Sequence, residues 1–542
     1  MEISDRLIIS KPLYINDSSS NCGYCKHSKN NDYDYFPTDS WYQLHKSHIK
    51  DLEINNCTIG LQVELFPVEI YDGLCNLGFR RSGNFLYKAD MLRNCCRLYT
   101  IRTTPKQCKI SKEFKSCISR FKKRITPSSE SSLSPGGTPL ATGGKGKKQQ
   151  PYDFVNEIIS AELSSKNFYT RFEPAIYTPE KYQLFVKYQE KVHNDHNNSV
   201  KSFKKFLCES PFPEDVVIGT PEEWYELNNW KNLPPHSKIQ RVGPVHECYY
   251  HEGKLIALAV TDFLPSGISS VYFIWDPEYA KWSLGKLSAL RELSLLSKIN
   301  RDYYYLGYYI EDCPKMKYKR KYGGDILDVC NNQYVPLDEL ENFLEHGKFF
   351  VLSNENKKKE DDDEYYEEVN ELAPLSELPL DDTQKFSPNK PLKNIVERIY
   401  GERGGAVQSA NDAVDKLTDL GIEYTPQIFN DLYKLKPLPG MEPPTDEEHY
   451  EEDDGDISGY TNEIYHLPNV VPGLLPLWQI LQIVESGEIN RLNNKLMLYN
   501  TRTGQIRLVV DFQLESKRTK RVICNVIRMI GLKNTAKSLI II

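Results

Sequence analysis

Apolar and polar positions alternate between patterned blocks and unpatterned gaps along the chain. Two β-rich runs, "KLIALAVTDFL" (254–264) and "SSVYFIWD" (269–276), flank the short "PSGI" connection. They predict an antiparallel hairpin. "LGKLSALRELSLLSKI" (284–299) follows as a helix, and "YYYLGYYI" (303–310) as a buried strand. Stepping that helix at about 100° per residue puts Leu284, Ala289, Leu295, Leu296 and Ile299 on one arc. Glu292 falls inside the arc beside Ser288. A carboxylate there is costly to bury alone, so it is either paired structurally or placed for function. Upstream, "TPEKYQLFVKYQEKVH" (178–193) opens as helices do, with Thr178 to cap, Pro179 first and Glu180 at the positive end of the dipole. Near the other end, "LPNVVPGLLPLWQILQIV" (467–484) carries three prolines and reads as a turn into a buried helix, not a membrane span. "KLMLYN" (495–500) and "IRLVVDF" (506–512) read as strands.

The gaps set the domain layout. Residues 126–150, rich in Ser, Pro, Gly and Lys, predict a flexible linker. Residues 354–390, rich in acid and Pro, predict a second, and 438–458 a disordered loop. The expected organisation is therefore an N-terminal cysteine-bearing domain (1–125), a core (151–353) and a C-terminal extension (391–542).

Charge sharpens this picture. The 68 basic and 75 acidic residues leave a net charge of −7, but two runs, "EDDDEYYEE" (360–368) and "DEEHYEEDD" (446–454), hold much of the acid. Against that background two basic stretches stand out. "KISKEFKSCISRFKKR" (109–124) has seven positive residues and one negative, and "KMKYKRKY" (315–322) has five positives with two tyrosines. Each is either a solvated face or a path for RNA phosphates with aromatic stacking. The start of the sequence lacks a signal peptide's basic and long apolar regions, and thirteen cysteines then favour thiols or metal ligands over disulfides. A cytoplasmic, also nuclear, location is the expectation.

Cys22 and Cys25 in "CGYC" have the spacing of a metal hook, but two thiolates do not close a tetrahedral site. Adjacent Cys95 and Cys96 can supply the other two, or can be buried apolar fillers. The strand–strand–helix–strand order is compatible with an α+β core of the GCN5-related N-acetyltransferase type. The pyrophosphate loop of such enzymes, Q/R-x-x-G-x-G/A, is missing its sixth position in "QRVGPV" (240–245), "RKYGGD" (320–325) and "RMIGLK" (528–533), which argues against acetyl-CoA as donor.

"CGYC", "LGFRRSGNFLYK" (77–88) and "NCCRLYTIR" (94–102) together resemble the N-terminal region of eukaryotic arginyl-tRNA–protein transferases. "FYTRFEPAIYTPEKYQLFVKYQEKVH" (168–193), "GPVHECYYHEGKLIALAVTDFLPSGISSVYFIWDP" (243–277) and "LGKLSALRELSLLSKINRDYYYLGYYIEDCPKMKYK" (284–319) resemble their C-terminal region. The whole chain is most similar to the budding-yeast members. The resemblance implies transfer of arginine from arginyl-tRNA to the α-amine of proteins beginning with Asp, Glu or oxidised Cys, marking them for ubiquitin-dependent degradation through an N-degron ubiquitin ligase. It implies a Cys-bearing domain on an acetyltransferase-like core, with Cys22, Cys25, Cys95 and Cys96 holding an iron–sulfur cluster (4Fe–4S) or zinc. It implies no membrane partner.

An aminoacyl ester is already activated, so its transfer calls for orientation, a modest base and oxyanion stabilisation. The catalytic carboxylate candidates are Glu292 and Asp276, the latter at the end of a β-run, where it is equally suited to cap a turn. An acidic first residue calls for a cation, for which Arg80, Arg81 and Arg171 are candidates; consecutive arginines also make ordinary solvated surface. Lys122, Lys123, Lys315, Lys317, Lys319 and Arg320 are the tRNA-binding candidates. A non-catalytic tRNA- or degron-binding adaptor on the same scaffold is the alternative. His246 and His193 are set aside as structural.

Overall fold

A computed structural model describes residues 6–16, 22–26, 32–47, 49, 52, 56–126, 152–353, 384–385, 392–426 and 466–542. Apart from Thr126 and residues 384–385, the two expected linkers and the expected loop at 438–458 lie outside the described residues. The fold is mixed α+β with two sheets. Contacts divide the chain into two compact units: residues 1–101, 308–318 and 325–542 form unit 1, and residues 102–307 and 319–324 form unit 2. The segment expected as a C-terminal extension thus belongs to the same unit as the N-terminal cysteines.

In unit 1 the eight-stranded sheet runs in the order Gln505–Leu508, Met497–Asn500, Ser538–Ile541, Leu7–Ser10, Asn56–Leu65, Phe85–Asn94, Arg80–Ser82, with Leu13–Asn16 also paired to Asn56–Leu65. Leu7–Ser10 and Ser538–Ile541 pair in parallel, Leu7 opposite Ser538 and Ile9 opposite Ile540. Both segments are apolar and rich in β-branched isoleucine, which suits a buried central strand. The helix Lys517–Ala536 buries Ile523, Val526, Ile527 and Ile530, spaced 3, 1 and 3 along the chain as one helical stripe requires. It breaks at Gly531, whose φ of 80° lies in the left-handed region. The strands expected at 495–500 and 506–512 appear as the antiparallel pair Met497–Asn500 and Gln505–Leu508. The helix expected after the proline-rich turn spans Leu477–Glu485.

Unit 2 is built on consecutive sheet neighbours Phe168–Pro174, Gly243–His251, Lys254–Phe263, Gly267–Trp275 and Tyr303–Tyr309. The expected hairpin is present and antiparallel, with Ile268 opposite Phe263 and Trp275 opposite Ala257. The helix Leu284–Leu296 carries the chain across to Tyr303–Tyr309, which pairs in parallel with Gly267–Trp275. Gly267 makes that pairing possible, because a Cβ there would lie 2.0 Å from the Tyr303 carbonyl oxygen. The basic stretch at 109–124 becomes the helix Lys112–Ile125. Its Phe114, Cys117, Ile118, Phe121 and Ile125 are buried, while Lys122, Lys123 and Arg124 occupy the last turn, where cations oppose the dipole's negative end. Phe121, Phe168, Tyr249, Leu284 and Leu287 belong to one apolar cluster. Thr178 caps Pro179–Tyr188 by accepting a hydrogen bond from the Lys181 amide at 3.2 Å. Among the described residues no helix is long and apolar enough to cross a membrane.

Candidate functional site

Two constellations carry chemistry, one in each unit. In unit 1 the tight turn at residues 22–26 closes with the Lys26 amide donating to the Cys22 carbonyl at 2.8 Å. That turn aims two thiols inward, and Cys95 and Cys96, just beyond the strand Phe85–Asn94, supply two more. The four Sγ atoms all lie within 4.8 Å of one another, with Cys25–Cys95 at 3.4 Å and Cys22–Cys96 at 3.8 Å. All four are buried and none is in a disulfide. Hydrogen bonds from the Cys25, Cys95 and Cys96 thiols hold Cys22 far below the usual thiol range. Four convergent, buried, unlinked thiols are a donor set for a metal, so Cys95 and Cys96 are more than fillers. Ala89, Leu98, Tyr308 and Ile310 wall the site, together with a fifth cysteine, Cys313, whose thiol donates to the Tyr24 carbonyl at 3.4 Å.

In unit 2 the buried centre is the Arg291 guanidinium on the helix Leu284–Leu296. It forks onto both Glu162 oxygens, reaches Glu247 at 2.7 Å and donates to Tyr249 at 2.8 Å and Thr170 at 2.9 Å. Lys231 adds a further charge to Glu162 at 2.6 Å. Burial would raise the Glu162 pKa, but Arg291 and Lys231 outweigh it and keep this carboxylate below its ordinary range. The Tyr249 hydroxyl lies 3.2 Å from Ser288, and Ser288 donates to Glu292 Oε1 at 2.9 Å.

Glu292 sits at the end of that chain and takes no part in the ion pairs. Glu292 is only 3% exposed, among leucines, but every residue from Leu287 to Leu296 is buried, so burial here is not confined to the arc read from sequence. No cation pairs with Glu292 among the described residues, and its neighbours are the hydroxyls of Ser288 and Tyr304. Burial pushes its carboxyl up to about 7, against a smaller downward pull from the Tyr304 hydroxyl. A carboxyl that is half protonated near neutral pH can both take and return a proton.

Asp276 has a different character. Its side chain caps Pro277–Trp282 by accepting from the Glu278 amide at 3.0 Å, and it is gripped by Lys187 at 2.7 Å and Lys254 at 2.8 Å. Burial opposes ionisation, but the two lysines dominate and hold the pKa below the usual range. The turn-capping role named from sequence is present, with the two lysine pairs added to it.

The three arginines separate. Arg80 is buried, not solvated, and donates to the carbonyls of Cys75 at 2.8 Å and Phe79 at 2.6 Å. Arg81 is buried too, 3.3 Å from the Gly83 carbonyl. Arg80 also donates to the Cys75 sulfur at 3.3 Å and lies over the Tyr308 ring. Arg171 is the exposed one, its side chain 57% accessible and its guanidinium 2.7 Å from Glu173. Among the lysines, Lys123 and Lys315 are exposed, Lys122 pairs with Glu157 and Lys317 with Glu311. Lys319 is buried, which removes it from any solvated basic face, and Arg320 is half-buried. His246 is fully buried between the Lys181 amine at 3.0 Å and the Leu207 carbonyl at 2.9 Å, a structural position as expected.

The Glu162–Arg291–Glu247 cluster was not readable from sequence. Glu162 and Arg291 stand 129 positions apart, and no spacing rule joins them. Cys313 lacked a signal as well.

Two family models match the chain: "Arginine-tRNA-protein transferase, N terminus" over residues 20–116 and "Arginine-tRNA-protein transferase, C terminus" over residues 180–329. The arginyl-tRNA–protein transferase 1 of Saccharomyces cerevisiae is 48% identical over 541 residues, covering 99% of each chain. An Arabidopsis thaliana arginyl-tRNA–protein transferase 2 is 36% identical over 33% of this chain and 29% of its own. An aspartate/glutamate leucyltransferase of Campylobacter jejuni is 43% identical over 74 residues, 14% of this chain and 31% of its own.

Proposed function

Because the chain belongs to the arginyl-tRNA–protein transferase family, whose donor is arginyl-tRNA, we propose that Glu292 is the acid–base group of its transfer reaction and that its acceptors begin with an acidic residue. The observation that carries this reading is the Glu292 carboxyl, buried, outside every ion pair and raised to about 7. An α-amine has a pKa of about 7.7–8.0, close enough for efficient proton exchange. The amine nitrogen attacks the arginyl ester carbon and Glu292 accepts the proton the nitrogen sheds. The ester oxygen of the terminal ribose leaves and takes that proton back. Ser288, itself within reach of Tyr249, orients the carboxyl throughout.

Acidic acceptors are supported by the leucyltransferase relative, whose name states aspartate and glutamate. Arg171 is the exposed arginine suited to such a carboxylate; oxidised cysteine, also acidic, fits the same cation. Exposed Lys123 and Lys315 supply phosphate contacts. The strand–strand–helix–strand order of unit 2 supports an acetyltransferase-like core. Marking for degradation through an N-degron ligase, in cytoplasm and nucleus, completes the proposed role.

Cys22, Cys25, Cys95 and Cys96 would hold a metal that cross-links the start of unit 1. Tetrahedral thiolates around one zinc, at about 2.3 Å each, stand about 3.8 Å apart. The sulfur distances here support that choice over a cubane, in which every thiolate binds a different iron and the sulfurs spread further.

The test uses purified protein, tRNA charged with labelled arginine, and peptides beginning with Asp or Ala. Label on the Asp peptide alone is expected. Charged tRNA bound without transfer to either peptide would leave an adaptor instead.

A further inference from the structure

Unit 1 contains a small, partly open cavity of about 40 Å³ that the proposed chemistry does not use. Lys11, His466, Arg518 and Arg521 line it together with Asn525, and among the described residues no carboxylate does. Lys11 enters from the end of the Leu7–Ser10 strand, its amide donating to the Ile541 carbonyl at 3.1 Å. Arg518 and Arg521 project from the first two turns of the helix Lys517–Ala536. Neither makes an ion pair among the described residues, and Arg518 is exposed.

Residues 517–537 carry seven Lys and Arg and no Asp or Glu, in a chain whose net charge is −7. The first turn of this helix has no acidic residue, so its cations face the positive end of the dipole. Cations there destabilise the helix slightly, and stability alone would favour Asp or Glu. A polyanion relieves both repulsions at once.

From this convergence we propose that the Lys11–His466–Arg518–Arg521 cavity binds a backbone phosphate of the tRNA. The inference rests on arginyl-tRNA being the donor. Phosphate is favoured over base reading because the described lining offers three Lys and Arg side chains, a histidine and one amide, a donor set suited to phosphate oxygens, with no Phe, Tyr or Trp among the described residues. Asn525 Oδ1 already accepts from Tyr424 at 3.0 Å, which leaves its amide hydrogens as donors. The site adds affinity and orientation at a distance from the reacting ester, so it acts on tRNA capture and not on the chemical step.

The experiment measures binding of uncharged tRNA to the full chain from about 50 to about 200 mM salt. It compares wild type, the double variant Arg518→Ala/Arg521→Ala and the double variant Arg518→Lys/Arg521→Lys. The alanine pair should weaken binding about tenfold at the low-salt end and flatten the log–log salt slope by about 0.9. The lysine pair should keep the slope, and the alanine pair should raise KM for charged tRNA with kcat unchanged. Wild-type affinity and slope in the alanine pair would overturn the proposal while leaving the transfer reaction intact. So would equal losses in both pairs, which would indicate packing and not charge. An acidic peptide that binds wild type but not the alanine pair, with tRNA binding unaffected, would assign the cavity to a protein segment and overturn it as well. A wild-type chain that binds no tRNA would remove the donor reading first, and this proposal with it.

Discussion

Glu292 and Arg291 are neighbours on one helix with opposite duties. Arg291 binds two carboxylates, whereas Glu292 enters no ion pair and accepts a hydrogen bond from Ser288. A carboxyl whose folded pKa is raised binds more protons folded than unfolded, so it lowers stability as pH rises from about 4.5 to about 7. Glu292→Gln removes that cost. It should cut kcat by roughly 10²–10⁴-fold, abolish the limb near pH 7 in the rate profile, and leave Tm unchanged or higher. A Tm that falls together with activity would return Glu292 to a structural role. Arg291→Met should do the reverse of a silent change, destabilising the protein by about 3–5 kcal/mol in denaturant titrations, because Glu162 and Glu247 would be left buried without their cation. Glu292 was legible in the sequence because one polar residue interrupted a helical arc. Asp276 was legible only as two alternatives, since a carboxylate before proline looks the same whether it caps or reacts.

At the scale of elements, the amphipathic helix Lys112–Ile125 separates folding from binding on its two faces. Phe121→Ala on the buried face should cost about 3–5 kcal/mol. Lys123→Ala on the exposed face should leave the melting curve alone and reduce the salt slope of tRNA binding by about 1. The cysteine turn makes a sharper case. Cys95→Ser should lose bound metal, measured by elemental analysis of the purified protein, and expose residues near the turn to protease. One zinc per chain in the wild type would support the single-ion reading, and iron with acid-labile sulfide would replace it by a cluster. Local pattern made these elements readable: capping at Thr178, and β-rich runs either side of a short Pro-Gly connection in the hairpin. The buried arginines Arg80 and Arg81 were not, because nothing in "FRRSG" announces that its side chains turn back onto backbone carbonyls.

For the molecule as a whole, unit 1 is assembled from separated stretches of chain and unit 2 lies between them in sequence. No linear segmentation could find that division, since it depends on strand partners such as Ile9 and Ile540. Ile540→Ala, at a fully buried position, should destabilise unit 1 by about 2–5 kcal/mol, read as a loss of amide-exchange protection in Leu7–Ser10 as well as around residue 540. The Arg6 side chain reinforces the same closure by donating to the Lys495 carbonyl, 489 positions away. This pairing has a consequence for synthesis on the ribosome. Unit 2 has its residues in hand once the chain has reached 324, but the apolar strand Leu7–Ser10 is made first and receives its parallel partner only after residue 541 has emerged. At about 5–20 residues per second, that strand spends tens of seconds as an open edge, the state in which nascent chains aggregate and recruit chaperones.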